Sequence, residues 1–167
     1  MIYRKFGKTG KSLSALGFGT NRFSPADLTS DEGLNKTADV LCYGLRTGIN
    51  YIDCGHNYSL GKAEDIVRIA FEKLKGENLS IYTSVKTMFA EDPLEYAARR
   101  RIDASLKRMG IDRATFGFLW HPHSYNEFLA ASKKGHTLDG LIKARDEGII
   151  EHICVRRTLT YKIQEKF

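Results

Sequence analysis

Gly48-Ile49-Asn50-Tyr51-Ile52-Asp53-Cys54-Gly55-His56-Asn57-Tyr58 decides how this chain folds. It opens on a glycine that can stop a helix. Only Ile49 and Asn50 separate that stop from a β-prone run, Tyr51-Ile52-Asp53. The run ends on a carboxylate, and a loop carrying His56 and Tyr58 follows. Upstream, Thr29-Ser30-Asp31-Glu32 reads as a capping box, and Leu34, Ala38, Leu41 and Leu45 recur at helical spacing. Downstream, Ile66, Ala70 and Leu74 repeat that spacing until Gly76. The repeating unit is therefore helix, short link, strand, long loop, helix.

The same unit recurs along the chain. Residues 3–14 read as two short strands around Gly7-Lys8-Thr9-Gly10, and Ala15-Leu16-Gly17-Phe18-Gly19-Thr20 as a buried strand. Ile81 to Lys86 is a strand. Asp92-Pro93-Leu94-Glu95 predicts a capped helix start, with a stripe of Leu94, Ala98, Ile102, Leu106 and Met109 ending at Gly110. Phe116 to Trp120 is a strand, Leu138 to Glu147 a helix stopped by Gly148, and His152-Ile153-Cys154-Val155 a fifth strand. Alternating strands and helices predict an α/β fold with parallel strands. The longer loops, 21–28, 54–61 and 121–137, follow the strands. In such folds ligands bind there, at the carboxyl ends of strands.

Composition bounds the partners. With 42% hydrophobic residues the chain can build a core, and no run approaches the ~18 apolar residues of a membrane span. At 167 residues it is shorter than a complete (β/α)8 barrel, which needs at least ~200. The net charge is +6, but the positives are scattered, and Arg99-Arg100-Arg101 falls in a helical pattern that reads as a solvated face. Neither a nucleic-acid nor a membrane partner is expected. Cys42, Cys54 and Cys154 have no paired spacing, so no disulfide framework or thiolate metal site is expected. The start has no apolar signal-peptide core, which makes the cytoplasm the expected compartment.

Three ionisable residues stand at strand ends: Asp53, Lys86 and His121, with Tyr58 in the loop after Asp53. Parallel neighbours bring them to one rim. A charged lysine beside a tyrosine favours phenolate, so a lowered Tyr58 pKa is expected. Such a tyrosine can protonate a developing alkoxide, and His121 could hydrogen-bond the same oxygen. Rival readings are weaker. His121-Pro122-His123 with His56 could suggest a metal, but no later ligand completes a shell, and none is expected. Cys54 reads as small filler. Gly17-x-Gly19 is too short for a dinucleotide fingerprint, which disfavours a doubly wound fold.

These residues carry a resemblance. Residues 48–58, with Gly61 and Glu64 following, resemble the aldo-keto reductase signature Gly-x-Asn/Thr-x-Phe/Ile-Asp-Thr-Ala-x-x-Tyr-Gly. The opening Tyr3-Arg4-Lys5-Phe6-Gly7, the run Ser14 to Thr20, Ser84-Val85-Lys86, and Leu106 to Asp112 with Leu119-Trp120-His121 are similar to bacterial members in the same order. The resemblance implies a catalytic tetrad of Asp53, Tyr58, Lys86 and His121. It implies a small carbonyl substrate, reduced from aldehyde or ketone to alcohol with NADPH or NADH. Gly19, Thr20 and Asn21, with Asp53, would lie at the nicotinamide end. The implied fold is a partial (β/α)8 barrel, about the first five βα units, with an N-terminal β-hairpin. Its expected divisions are a hairpin at 1–14, an incomplete barrel at 15–155 and an irregular tail at 156–167. Read as C-terminally truncated, the chain is expected to bind cofactor less well and to self-associate, or hold a partner, along its open sheet edges. A non-catalytic interaction protein is the alternative function. Ser59 stands where the family has glycine, and Cys54 and Gly55 where it has Thr and Ala. Cys154-Val155-Arg156-Arg157 replaces its Gly-Val-Ser-Asn, which holds the carboxamide.

Overall fold

The structure, a computed structural model, describes residues 1–156. Of the expected irregular tail at 156–167, Arg156 is the last residue of a strand, and residues 157–167, including Arg157, lie outside the described residues. Two strands, β1 (Tyr3–Lys5) and β2 (Ser12–Ser14), form an antiparallel hairpin with Tyr3 opposite Ser14. A five-stranded parallel sheet follows: β3 (Phe18–Gly19), β4 (Tyr51–Asp53), β5 (Tyr82–Thr87), β6 (Ala114–Trp120) and β7 (Ile150–Arg156). The strands lie side by side in chain order. Helices α1 (Asp31–Arg46), α2 (Ala63–Lys73) and α3 (Glu95–Met109) make the first three crossovers. A pair, α4 (Tyr125–Ala131) and α5 (Thr137–Asp146), makes the fourth. This is the partial (β/α)8 barrel, with five of its strands and the hairpin at its amino-terminal end.

Periodicity explains the helices. Ala38, Leu41 and Leu45 of α1, Ile66 and Ala70 of α2, and Ala98, Ile102, Leu106 and Met109 of α3 are buried against the sheet. Gly48, Gly76, Gly110 and Gly148 all take positive φ, from 68° to 102°, just past the helix ends. Glycine has no Cβ to clash there, which is why it marks these stops.

Several local expectations shift. The N-cap of α1 is Ser30, whose hydroxyl accepts from the Gly33 N–H at 3.1 Å; Thr29 instead bonds back to the Ala26 carbonyl. Asp92 does not cap α3. It is buried, accepts from the Arg101 guanidinium at 3.2 Å, and its carbonyl takes the Thr137 hydroxyl at 2.6 Å. Leu94 is the extended residue before α3 and is exposed, so the apolar stripe begins at Ala98. The segment read as a loop at 121–137 holds α4, whose Ser124 cap takes the Glu127 N–H. The expected strand 15–20 shortens to Phe18–Gly19, and β7 runs on to Arg156.

The hairpin closes the amino-terminal end of the sheet. Asn50, just before β4, accepts from the Ser14 N–H at 2.7 Å and donates to the Ser12 carbonyl at 2.9 Å. Phe6 packs edge-on against Phe116 with centroids 5.2 Å apart. The opposite, carboxyl-terminal end stays clear of the hairpin, and the ionisable residues gather there.

Candidate active site

Alternation along the strands aims the site. Successive strand residues face opposite sides, so residues two apart share a face. Tyr51 and Asp53 of β4, Ser84 and Lys86 of β5, and Phe116, Phe118 and Trp120 of β6 fall into phase on one face. At the carboxyl end they enclose a cavity of about 270 Å³, lined by Tyr51, Asp53, Tyr58, Lys86, Phe118, Trp120 and Arg156.

An ion pair with a buried lysine and a partly exposed aspartate forms its floor. Lys86 Nζ lies 2.5 Å from Asp53 Oδ1; the lysine side chain is 3% exposed and the aspartate 36%. Asp53 Oδ1 also accepts from the Tyr51 hydroxyl at 3.2 Å and the Ser84 hydroxyl at 3.4 Å. Ser84 Oγ in turn accepts from the Cys54 N–H at 3.0 Å, tying the strand end to the loop. The ammonium of Lys86 rides over two rings, 5.2 Å from the Tyr58 centroid and 4.8 Å from that of Phe118. Burial pulls the Lys86 pKa down, and the Asp53 carboxylate opposes the pull.

Tyr58 sits on a turn built from left-handed residues. Ser59, Leu60 and Gly61 have φ of 49°, 56° and 79°. A left-handed φ explains why glycine is the usual residue at the Ser59 position. The serine is held there because its hydroxyl donates to the Thr20 carbonyl at 2.6 Å and accepts the Phe23 N–H at 3.1 Å. Tyr58 is buried and meets Trp120 edge-on at 5.7 Å. The expected lowering of its pKa is reversed. Burial and then the Asp53 carboxylate raise it, while Arg156 works in the other direction. The lysine charge lies over the Tyr58 ring and is paired with Asp53.

The structure thus brings Asp53, Tyr58 and Lys86 together. His121 does not line the cavity. It follows β6 one residue out of phase with Phe116, Phe118 and Trp120, with φ of 61°, and its ring packs on Trp120 and His123. Trp120 occupies the inward position, and its Nε1 is buried without a hydrogen-bond partner among the described residues. Period-two counting back from His121 would have exposed this shift. Arg156 and Ser84 were also missed; Ser84 shares the face of Lys86, the signal that could have found it.

Of the residues expected at a cofactor, Thr20 is buried, and its hydroxyl donates to the Asp53 carbonyl at 2.9 Å. Gly19 is exposed, with no atom within 4 Å of where a Cβ would stand, and Asn21 is exposed beside it on the rim. Thr20 therefore ties the loop to β4, while Gly19 and Asn21 stand exposed at the rim. Burial pushes the Cys54 thiol up to about 12, which keeps it protonated. His56 pairs with Glu91 at 2.7 Å, away from the other histidines. Among the described residues no cluster of three or more His, Cys, Asp or Glu could hold a metal, and no helix is long and apolar enough to cross a membrane.

A parallel barrel with a lysine–aspartate pair beneath a rim tyrosine defines an aldo-keto reductase type of protein. Comparison with known proteins agrees: the model of the Aldo/keto reductase family matches residues 15–165, and the chain belongs to that family. No curated protein sequence matches it. A thermostable aldo-keto reductase solved with the inhibitor epalrestat superposes with a TM-score of 0.75 at 20% identity, over 99% of this chain and 57% of that one. An aldo-keto reductase from Klebsiella pneumoniae in complex with NADPH gives 0.74 at 20% identity, over 99% and 53%. The holo form of an aldo-keto reductase from Bacillus halodurans gives 0.75 at 21%, over 99% and 53%. The chain spans little more than half the length of these structures.

Proposed function

We propose that this chain carries the proton-donating site of an NAD(P)H-dependent reductase of small aldehydes or ketones. The observation that supports it best is the Lys86–Asp53 pair, 2.5 Å long and buried under the Tyr58 ring at the mouth of a cavity. Family membership and the NADPH-bound Klebsiella relative support a nicotinamide cofactor. That cofactor, when bound, supplies hydride to the carbonyl carbon. Gly19 and Asn21 would hold its nicotinamide end, on the loop that Thr20 and Ser59 fix.

Tyr58 is the acid in this reading. Its raised pKa keeps the proton on the phenol until negative charge develops on the carbonyl oxygen. An alkoxide is more basic than even a raised phenolate, so the transfer still runs downhill. Asp53 holds Lys86 as an ammonium, and the charge of Arg156, which works to lower the Tyr58 pKa, stabilises the phenolate left behind. Trp120, not His121, lines the cavity beside Tyr58, so its indole forms a wall against which the carbonyl would lie.

The test is direct. The purified chain is given NADPH or NADH and a panel of aldehydes, with cofactor oxidation followed by absorbance and cofactor binding by fluorescence. Carbonyl-dependent oxidation is expected, and Tyr58→Phe should lose roughly 10²–10⁴-fold in rate. Folded, cofactor-binding protein with no turnover, or a Phe variant as fast as the parent, sinks the reading.

A further inference from the structure

The turn that carries Tyr58 has an unfavourable backbone. Ser59 and Leu60 are two successive non-glycine residues in the left-handed region. Such a backbone persists only where its surroundings hold it. On one side, the Ser59 hydroxyl ties it to the Thr20 carbonyl at 2.6 Å. Within the turn, the Gly61 and Ala63 N–H groups donate to the Tyr58 carbonyl at 3.0 and 3.2 Å. The third hold comes from outside. Arg108 of α3, 47 residues away in the chain, donates from Nη2 to the Gly61 carbonyl. The same nitrogen donates to the Asp65 carboxylate at 3.1 Å. Arg108 does not line the Tyr58 cavity.

Glu64 explains why the arginine stays there. Its side chain is 1% exposed, and neither carboxylate oxygen has a hydrogen-bond partner among the described residues. Arg108 Nη1 lies 3.5 Å from its Oε2, and this is the ion pair that Glu64 makes among the described residues. A buried carboxylate parted from its cation is strongly unfavourable. Glu64 and Asp65 stand in the first turn of α2, where the helix dipole favours negative charge. Together they keep the guanidinium over the start of α2, against the Gly61 carbonyl.

We propose that Arg108 is a positioning residue for the reduction: anchored by Glu64 and Asp65, it clamps the Gly61 carbonyl and so sets where the Tyr58 hydroxyl meets the substrate. This rests on the reading of Tyr58 as the acid. The rigid fork of a guanidinium suits the task, because two of its nitrogens serve three acceptors at once. Without the clamp the turn relaxes from its left-handed backbone, and the phenol shifts relative to the Lys86–Asp53 pair. A misplacement of ~1 Å at reacting atoms can lower a rate by about 10²-fold.

The full chain is compared with Arg108→Met, Arg108→Lys and the double variant Arg108→Met with Glu64→Gln. The double variant leaves no stranded carboxylate, so it separates the lost clamp from a damaged fold. Arg99→Met is the control, since Arg99 lies on the same helix but pairs with Asp103 and Glu147. Hydrogen exchange of the 54–66 segment reads the turn without turnover, and kcat and KM are measured with NADPH and an aldehyde. The Met and double variants should lose about 10- to 100-fold in kcat, with KM little changed. Their 54–66 segment should exchange faster while β5 and β6 keep their protection. The Lys variant should recover part of kcat, and Arg99→Met should keep both kcat and turn protection. An unchanged kcat in the double variant, an unchanged turn, protection lost evenly along the chain, or an equal loss in Arg99→Met each overturns the assignment. A parent chain without carbonyl turnover sinks the Tyr58 reading instead. The exchange pattern then decides alone: faster exchange confined to the turn supports the clamp, and unchanged exchange overturns it.

Discussion

Replacing Asp53 by Asn should harm the fold more than replacing Lys86 by Met, although both break the same pair. Lys86 is 3% exposed, so without Asp53 its ammonium is left buried with, among the described residues, the Ser84 hydroxyl at 3.4 Å and two ring faces. Asp53 is 36% exposed, and without Lys86 it keeps water and the Tyr51 and Ser84 hydroxyls. Breaking a buried pair so that one charge is stranded costs about 3–5 kcal/mol. Partial exposure of Asp53 puts D53N at the low end, about 3 kcal/mol, or roughly 6–12 °C in Tm for a domain of this size. K86M fills the space between the rings with an apolar chain and should stay within about 1 kcal/mol. The double variant should lie near K86M. The pH dependence has a definite sign. Burial already lowers the folded-state pKa of Lys86, and losing Asp53 lowers it further. Between that value and the unfolded one, the unfolded state binds more protons, so stability rises with pH. The D53N deficit should therefore be full below the folded pKa and shrink toward alkaline pH. Urea melts at several pH values measure all of this. A K86M variant as unstable as D53N, or a D53N deficit that grows with pH, would refute the reasoning.

Other expectations follow from single contacts. Ser30→Ala should cost about 1 kcal/mol in a thermal melt, because it removes the cap on Gly33, whereas Thr29→Ala should cost a few tenths. Gly33→Ala should destabilise by at least about 2 kcal/mol, since a Cβ there would stand 2.2 Å from the Asp27 carbonyl oxygen and backbone cannot give way cheaply. The raised Tyr58 pKa means the acid stays protonated in base, so kcat should show no alkaline fall from this group between about pH 7 and 9.

The helices were legible because burial on one face imposes a period that composition cannot hide: Ala38, Leu41 and Leu45, or Ile102, Leu106 and Met109, fix both helix and face. The left-handed glycines fixed where α1, α2, α3 and α5 end. Caps were less legible. Thr29 and Ser30 offer the same chemistry, and Asp92 has the right chemistry for a cap but is drawn to Arg101 and Thr137, which lie 9 and 45 residues away.

The residue string by itself determined that strands and helices alternate in a parallel barrel order, and that Asp53, Tyr58 and Lys86 reach one rim. Those facts depend on periods, glycine stops and strand ends, all of which are local. Only the tertiary structure decided which β6 side chain enters the cavity, what happens to the tyrosine proton, and which charges share the cavity. Trp120 rather than His121 faces inward because strand phase is set by pairing with β5 and β7. Burial and Asp53 raise the Tyr58 pKa and outweigh the opposing pull of Arg156. Arg156 meets Lys86 and Asp53 at one cavity although it lies far from both in sequence, and long-range electrostatics of that kind cannot be read until the sheet has formed.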